Sequence, residues 1–276
     1  MTSRPTGSNL EEPELGLEYS GPDPVPHRGH SGADWAPEQP QTKHSPIPEA
    51  PPISQSPAPD PSPETSFPED VGEVERLLSE ALSAARSGRM NEAVATYYRI
   101  LELDPTSVKA RNNLALVLDQ TGHAEGALAQ LEAALKIVPE NLEVLSNLGA
   151  ILASLGRYGD AEGHLRSALR LDPSHIDAQA NLGILFYRRG LYSHAAIELA
   201  KVCDREPDHA PAHFYRGEAL NRLGRVDEAV AVLERARELT PENARIYYLL
   251  GVLYDRKHQY EESAAMYRRS KEISLR

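Results

Sequence analysis

Two groups of residues in this chain have types and spacing that invite chemistry. The stretch NLGAILASLGRYGDAEGHL, from Asn147, carries Gly149, Gly156, Gly159 and Gly163, and glycine lets backbone amides close on a phosphate. The second group is Cys203 with His194, His209 and His213 nearby in sequence, which suggests a Cys/His nucleophile or a metal site. Neither survives a reading of its surroundings. Glycine phosphate loops follow a strand and open a helix, whereas here the flanking apolar residues recur at three and four with no β-branched run before them. Cys203 has no oriented third group and no oxyanion hole. Pro211 makes His209 and His213 the edge of a helix rather than one of its faces, and no carboxylate joins them at metal-ligand spacing. No enzyme, cofactor or metal is expected.

The glycines have another explanation, because the stretch recurs. NLALVLDQTGHAEGALAQL begins at Asn113, and NLGILFYRRGLYSHAAIEL begins at Asn181, each 34 residues from the stretch at Asn147. Pro105, Pro139, Pro173, Pro207 and Pro241 keep the same spacing. With proline at position 32, the units are 74–107, 108–141, 142–175, 176–209, 210–243 and 244–276. Position 15 is Gly88, Gly122, Gly156, Gly190 and Gly224, then His258. Glycine accepts the left-handed backbone that ends a helix, and proline cannot continue one. Each unit therefore reads as helix, tight turn, helix, break. Position 8 is small (Ala81, Ala115, Gly149, Gly183, Gly217, Gly251) and position 20 is alanine until Ser263. Position 24 is large: Tyr97, Leu131, Leu165, Leu199, Leu233, Tyr267. Small residues let the paired helices approach, and the large one fills the space between them.

Composition divides the chain. Of 276 residues with net charge −12, the first 70 hold 12 acidic and 3 basic side chains and 16 of the 22 prolines. Such a segment buries too little apolar surface to offset its ordering entropy, so residues 1–73 are expected to be a disordered, acidic, proline-rich tail. An acidic chain without a basic stripe fits neither nucleic acid nor an anionic membrane. No apolar run approaches a membrane span, and the N-terminus lacks the apolar core of a secretory signal. The single cysteine, Cys203, excludes an intrachain disulfide and points to a reducing, cytoplasmic setting.

The 34-residue period, with small residues at 8 and 20, a bulky one at 24 and proline at 32, resembles the tetratricopeptide repeat family. Two departures are frequent leucine at 24 and the absence of tryptophan at 4. The resemblance implies an all-α, right-handed superhelical solenoid of six antiparallel helix pairs. It also implies that first helices line a concave groove that binds peptide or protein segments.

Family positions 2, 5, 6, 9, 12 and 13 of each first helix would face that groove. Position 6 gives Asn113, Asn147 and Asn181 in consecutive units, similar to the asparagine ladder of O-linked N-acetylglucosamine transferase repeats. An amide can both donate to and accept from any peptide backbone; the alternative is that these asparagines bond the neighbouring repeat. Position 13 gives Arg188, Arg222 and Arg256 in the last three units, beside Tyr187, Phe214, Tyr215 and Tyr248. Arginine beside aromatics suits carboxylates, although arginine in a last helical turn also meets the helix dipole, worth ~0.3–1 kcal/mol. The chaperone-tail clamp needs lysine at position 5, and none stands there. The expected function is an adaptor or scaffold gripping an extended polypeptide, with acidic groups suited to the arginine row. The alternatives are a self-assembly module or tail-occluded oligomer, and a non-catalytic targeting subunit of a separate enzyme. The sequence assigns no oligomeric state.

Overall fold

The computed structural model describes residues 68–275, so the expected disorder of the tail falls almost wholly outside the described residues. Twelve helices alternate through them: α1 (Pro68–Arg86), α2 (Met90–Leu103), α3 (Val108–Gln120), α4 (Ala124–Ile137), α5 (Leu142–Ser154), α6 (Tyr158–Leu171), α7 (Ile176–Arg188), α8 (Tyr192–Arg205), α9 (Ala210–Arg222), α10 (Val226–Leu239), α11 (Ala244–Arg256) and α12 (Tyr260–Ser274). The first begins at Pro68, ahead of the expected unit start at Val74, with proline at the helix position that needs no N–H.

Each unit pairs its two helices across the small and large positions. A Cβ on Gly149, Gly183 or Gly217 would stand 2.5, 2.6 and 2.5 Å from Cγ of Leu165, Leu199 and Leu233 respectively. A Cβ on Gly251 would stand 2.7 Å from the Tyr267 ring. Glycine at position 8 is thus the space that the position-24 side chain fills. In the first two units alanine serves, with Ala81 and Ala115 fully buried.

The turns repeat with equal fidelity. All five position-15 glycines have φ between 75° and 82°, and the next residue's N–H reaches back five residues, as from Arg157 to the Leu152 carbonyl at 2.9 Å. This bond pattern is the left-handed helix stop. His258 takes the same turn with φ 59°, and the Gln259 N–H reaches the Tyr254 carbonyl at 2.9 Å. At the other end of each connection, Ser107, Asn141, His175, His209 and Asn243 cap the following first helix by accepting a backbone N–H. Leaving that N–H unmet would cost about 1 kcal/mol.

Second helices pack against the first helix of the next unit, and α3 with α5, α5 with α7, α7 with α9, and α9 with α11 also touch. The inner side of the solenoid is therefore built of first helices. No helix among the described residues is long and apolar enough to cross a membrane.

Candidate functional site

The inner wall has two regions. In the amide region, Asn147 Nδ2 donates to Oδ1 of Asn112 at 2.8 Å, and Asn181 Nδ2 donates to Oγ of Ser146 at 3.1 Å. Asn112 and Ser146 are the buried position-5 residues of the preceding units. Asn113 lies near the Tyr97 hydroxyl, whose pKa burial raises and Asn113 partly offsets. Asn147 and Asn181 thus each commit an amide N–H to the preceding unit.

The second region is a pocket between α9 and α11, lined by Glu218, Asn221, Arg222, Arg245, Tyr248, Leu249 and Arg256. Glu218 organises it. The carboxylate is almost wholly buried, 4% exposed, where an unpaired charge would be untenable. It accepts a hydrogen bond from the Tyr187 hydroxyl on Oε2. Arg245 Nη2 lies 2.6 Å from Oε1, an ion pair whose N–H is not aligned as a hydrogen bond. Burial, then the bond to Glu218 and its charge, pushes the Tyr187 hydroxyl up to about 12. The Arg245 guanidinium also lies over the Phe214 ring at 5.1 Å. Phe214 is therefore a buried platform, and it continues through Tyr215 (5.1 Å) to Tyr187 (5.4 Å).

Arg222 and Arg256 differ from Arg245. Arg256 Nη1 donates to the neutral amide oxygen of Asn221 at 2.7 Å. Among the described residues, neither Arg222 nor Arg256 meets a carboxylate at ion-pair distance. Several arginines elsewhere meet acids, as Arg157 does Asp160, Arg225 does Glu228, and Arg235 does Asp208 and Glu238, whereas others, such as Arg111 and Arg170, bond neutral oxygens. The pocket thus holds three guanidiniums against one carboxylate, and that carboxylate is engaged. Such a site can take a further anion through charge-assisted, bidentate bonds.

Of the residues expected from sequence, Arg222, Arg256 and Tyr248 share this pocket, while Tyr187, Phe214 and Tyr215 form its aromatic flank. Arg188 is exposed outside the pocket, and its charge is felt by Asp119, whose pKa burial nonetheless raises. Glu218, Asn221 and Arg245 were not anticipated. A signal for Glu218 was present, because position 9 reads Leu82, Leu116, Ala150, Ile184, Glu218, Val252, one acid in an apolar column.

The cysteine and histidines have structural places. Cys203 is buried, and burial pushes its thiol pKa up. His209 caps α9 by accepting the Ala212 N–H at 3.0 Å, and His213 Nε2 lies 3.0 Å from the Pro207 carbonyl oxygen. His194 lies exposed on α8, its ring 5.6 Å from that of Phe186.

Family models described as tetratricopeptide repeat match residues 78–141, 112–176, 147–205 and 244–275, and one described as TPR repeat matches 217–258. No curated protein sequence matches. Among solved structures, a tetratricopeptide repeat protein from Parabacteroides merdae is similar at TM-score 0.61 and 21% identity, over 72% of this chain and 78% of that one. The pilF protein of Pseudomonas aeruginosa is similar at TM-score 0.62 and 20% identity, over 72% and 90%. MamA from Desulfovibrio magneticus RS-1 is similar at 0.52 and 24%, over 61% and 95%. At these identities the likeness is one of fold.

Proposed function

The chain belongs to the tetratricopeptide repeat family, whose arrays are protein-interaction scaffolds, and from that premise we propose that it grips an extended polypeptide segment carrying acidic side chains along its inner wall. The observation that carries this reading is the pairing of Arg222 and Arg256 in one pocket where, among the described residues, neither meets a carboxylate at ion-pair distance. Arg245 is held by Glu218 and shapes the pocket; Arg222 and Arg256 read the ligand. Tyr248 and Leu249 offer apolar surface beside the charges, which suits a segment alternating acid with leucine or tyrosine. The amide region upstream contributes asparagine oxygens to the same segment's backbone, a weaker and sequence-tolerant hold.

The test uses the full-length protein and two synthetic peptides, one alternating glutamate with leucine and tyrosine, the other with glutamine replacing each glutamate. The glutamate peptide should bind, more weakly as salt rises, and the glutamine peptide should bind far less. Arg222→Gln with Arg256→Gln should remove the difference between the two peptides. Equal binding of both peptides by the unaltered protein would retire the arginine reading.

A further inference from the structure

We infer that the α9–α11 pocket receives a phosphotyrosine of the bound segment. This rests on the acidic-segment reading above and names the side chain that fills the site. Charge points to a dianion. Arg222, Arg245 and Arg256 bring three positive charges to the pocket and Glu218 brings one negative, which leaves a net of two. A glutamate or aspartate answers only one of them, whereas a phosphomonoester carries about −1.5 to −2 near neutral pH.

Geometry points the same way. Arg222 ends α9 and Arg256 ends α11, so the two guanidiniums come from different helices. Asn221 holds Arg256 through a neutral amide oxygen at 2.7 Å, which fixes the cation without neutralising it. A carboxylate has two oxygens in one plane, and a single guanidinium in the fork arrangement uses both. A phosphoryl group presents three acceptor oxygens in a tetrahedral array and can accept from two guanidiniums at once. Arg222, Arg245 and Arg256 are all exposed, so an incoming ligand meets them with no part of the fold opening.

The rest of the lining selects tyrosine. Tyr248, 42% exposed, and the half-buried Leu249 offer apolar surface beside the arginines. A phenyl ring set against them removes apolar area from water on both partners, which the short stem of phosphoserine does not. The cavity, about 460 Å³, has the size of a small-ligand site rather than of a niche for one carboxylate. Free phosphate would meet the charges alone and leave that surface wet.

The experiment titrates the full-length protein with the glutamate–leucine–tyrosine peptide in three forms that differ at one central tyrosine: unmodified, phosphorylated and sulfated. Sulfotyrosine keeps the ring and the three oxygens but carries a single negative charge. The phosphorylated form should bind about tenfold more tightly than the unmodified one, the return of one added charge-assisted hydrogen bond. The sulfated form should fall between them. Arg222→Gln with Arg256→Gln should erase the phosphate's advantage while helix content by circular dichroism is kept. Arg222→Lys with Arg256→Lys keeps the charge and loses the fork, so only part of the advantage should remain; this pair decides the matter if the glutamine protein loses helix. A phosphorylated form that binds no better than the unmodified one, with glutamate still preferred over glutamine, overturns the phosphotyrosine and leaves the acidic-segment reading standing. Loss of that preference as well sinks both. Equal affinity for the sulfated and phosphorylated forms overturns the two-charge match. An advantage that survives both arginine variants puts the phosphate elsewhere on the protein and overturns the assignment to this pocket.

Discussion

The inner wall treats its polar groups in two ways within one 34-residue frame. In units 2–4 the asparagine amides are committed between repeats, Asn147 to Asn112 and Asn181 to Ser146. In units 5 and 6, Arg222 and Arg256 line a pocket whose one carboxylate, Glu218, is engaged by Arg245 and Tyr187. The difference follows from which residue position 6 of one unit meets at position 5 of the unit before. Asn112 and Ser146 supply acceptors, whereas the next two such positions are Ala180 and Phe214, and their partners at position 6 are Tyr215 and Leu249. Once that seam turns apolar, polarity moves to positions 2, 9, 12 and 13: Arg245, Glu218, Asn221 and the arginines. An array can thus use a polar column to hold itself together or to face a ligand, and the neighbouring residue decides which.

The largest expected effect divides the two regions directly. Changing Arg222 and Arg256 together to glutamine should weaken binding of the acidic peptide ~100-fold, about 2.7 kcal/mol, with the melting temperature nearly unchanged. Adding Arg188→Gln should matter much less, because Arg188 stands outside the pocket. Isothermal titration of the single, double and triple variants checks this. A triple variant that binds like the wild type would leave only the amide wall as a binding surface.

The shared frame can be tested at both ends with one substitution. Gly149→Val and Gly217→Val each drive a side chain into the leucine at position 24, and overpacking of this kind costs ~1–3 kcal/mol. Denaturant unfolding should show similar losses for the two. A loss at Gly217 alone would mean that the pocket end is packed more tightly than the amide end.

Alkali should separate the ends as well. Tyr187, Tyr254 and Tyr267, all in units 4–6, have hydroxyl pKa values of about 12, raised first by burial and then by hydrogen bonds to Glu218, Glu234 and Asp255. Unfolded tyrosines ionise near pH 10, so the folded state holds more protons between those values. Stability from these groups is intact below pH 10 and is lost as pH climbs through about 12. Hydrogen exchange or limited proteolysis should then find units 4–6 opening before units 2 and 3. Simultaneous opening would show that the array unfolds as one block.

How much of this was legible depends on whether a feature is local to the repeat. Helix pairing, turn glycines and the small-to-large contact follow from residues read down one column, and the structure has them where the period puts them. The pocket arginines were visible for the same reason. Glu218 was harder, since its meaning comes from Tyr187 and Arg245 in the units on either side. Phe214 was misjudged as groove surface because aromatic character does not reveal burial under a neighbouring guanidinium. The helix caps were missed too: position 34 is Ser107, Asn141, His175, His209 and Asn243, and imidazole is an unusual cap to expect from composition.

A smaller effect concerns the amide seam. Asn147→Ala removes a donor and leaves the buried Asn112 side chain's oxygen without its partner, a loss of about 1 kcal/mol. Acidic-peptide affinity should move much less than for the arginine changes. If thermal stability holds and affinity falls instead, the asparagines belong to the ligand rather than to the repeat interface.

The smallest effect asks whether the arginine end departs from the frame in its backbone. His258 sits at φ 59° where five other units place glycine, and a side chain in the left-handed region is disfavoured. Its imidazole recovers part of that cost, with Nδ1 at 3.0 Å from the Tyr260 hydroxyl in an exposed contact. His258→Gly should therefore stabilise the last unit by somewhat less than about 1 kcal/mol. His258→Asn, which also tolerates this conformation, should be close to neutral. Gly224→His is the reciprocal change and should cost a similar amount one unit earlier. The three variants, compared by chemical unfolding at a pH where histidine is neutral, give backbone cost and imidazole contact separately. A loss of stability in His258→Gly would mean that the Tyr260 contact outweighs the strain, and the last turn would then be held by its side chains rather than by the glycine rule.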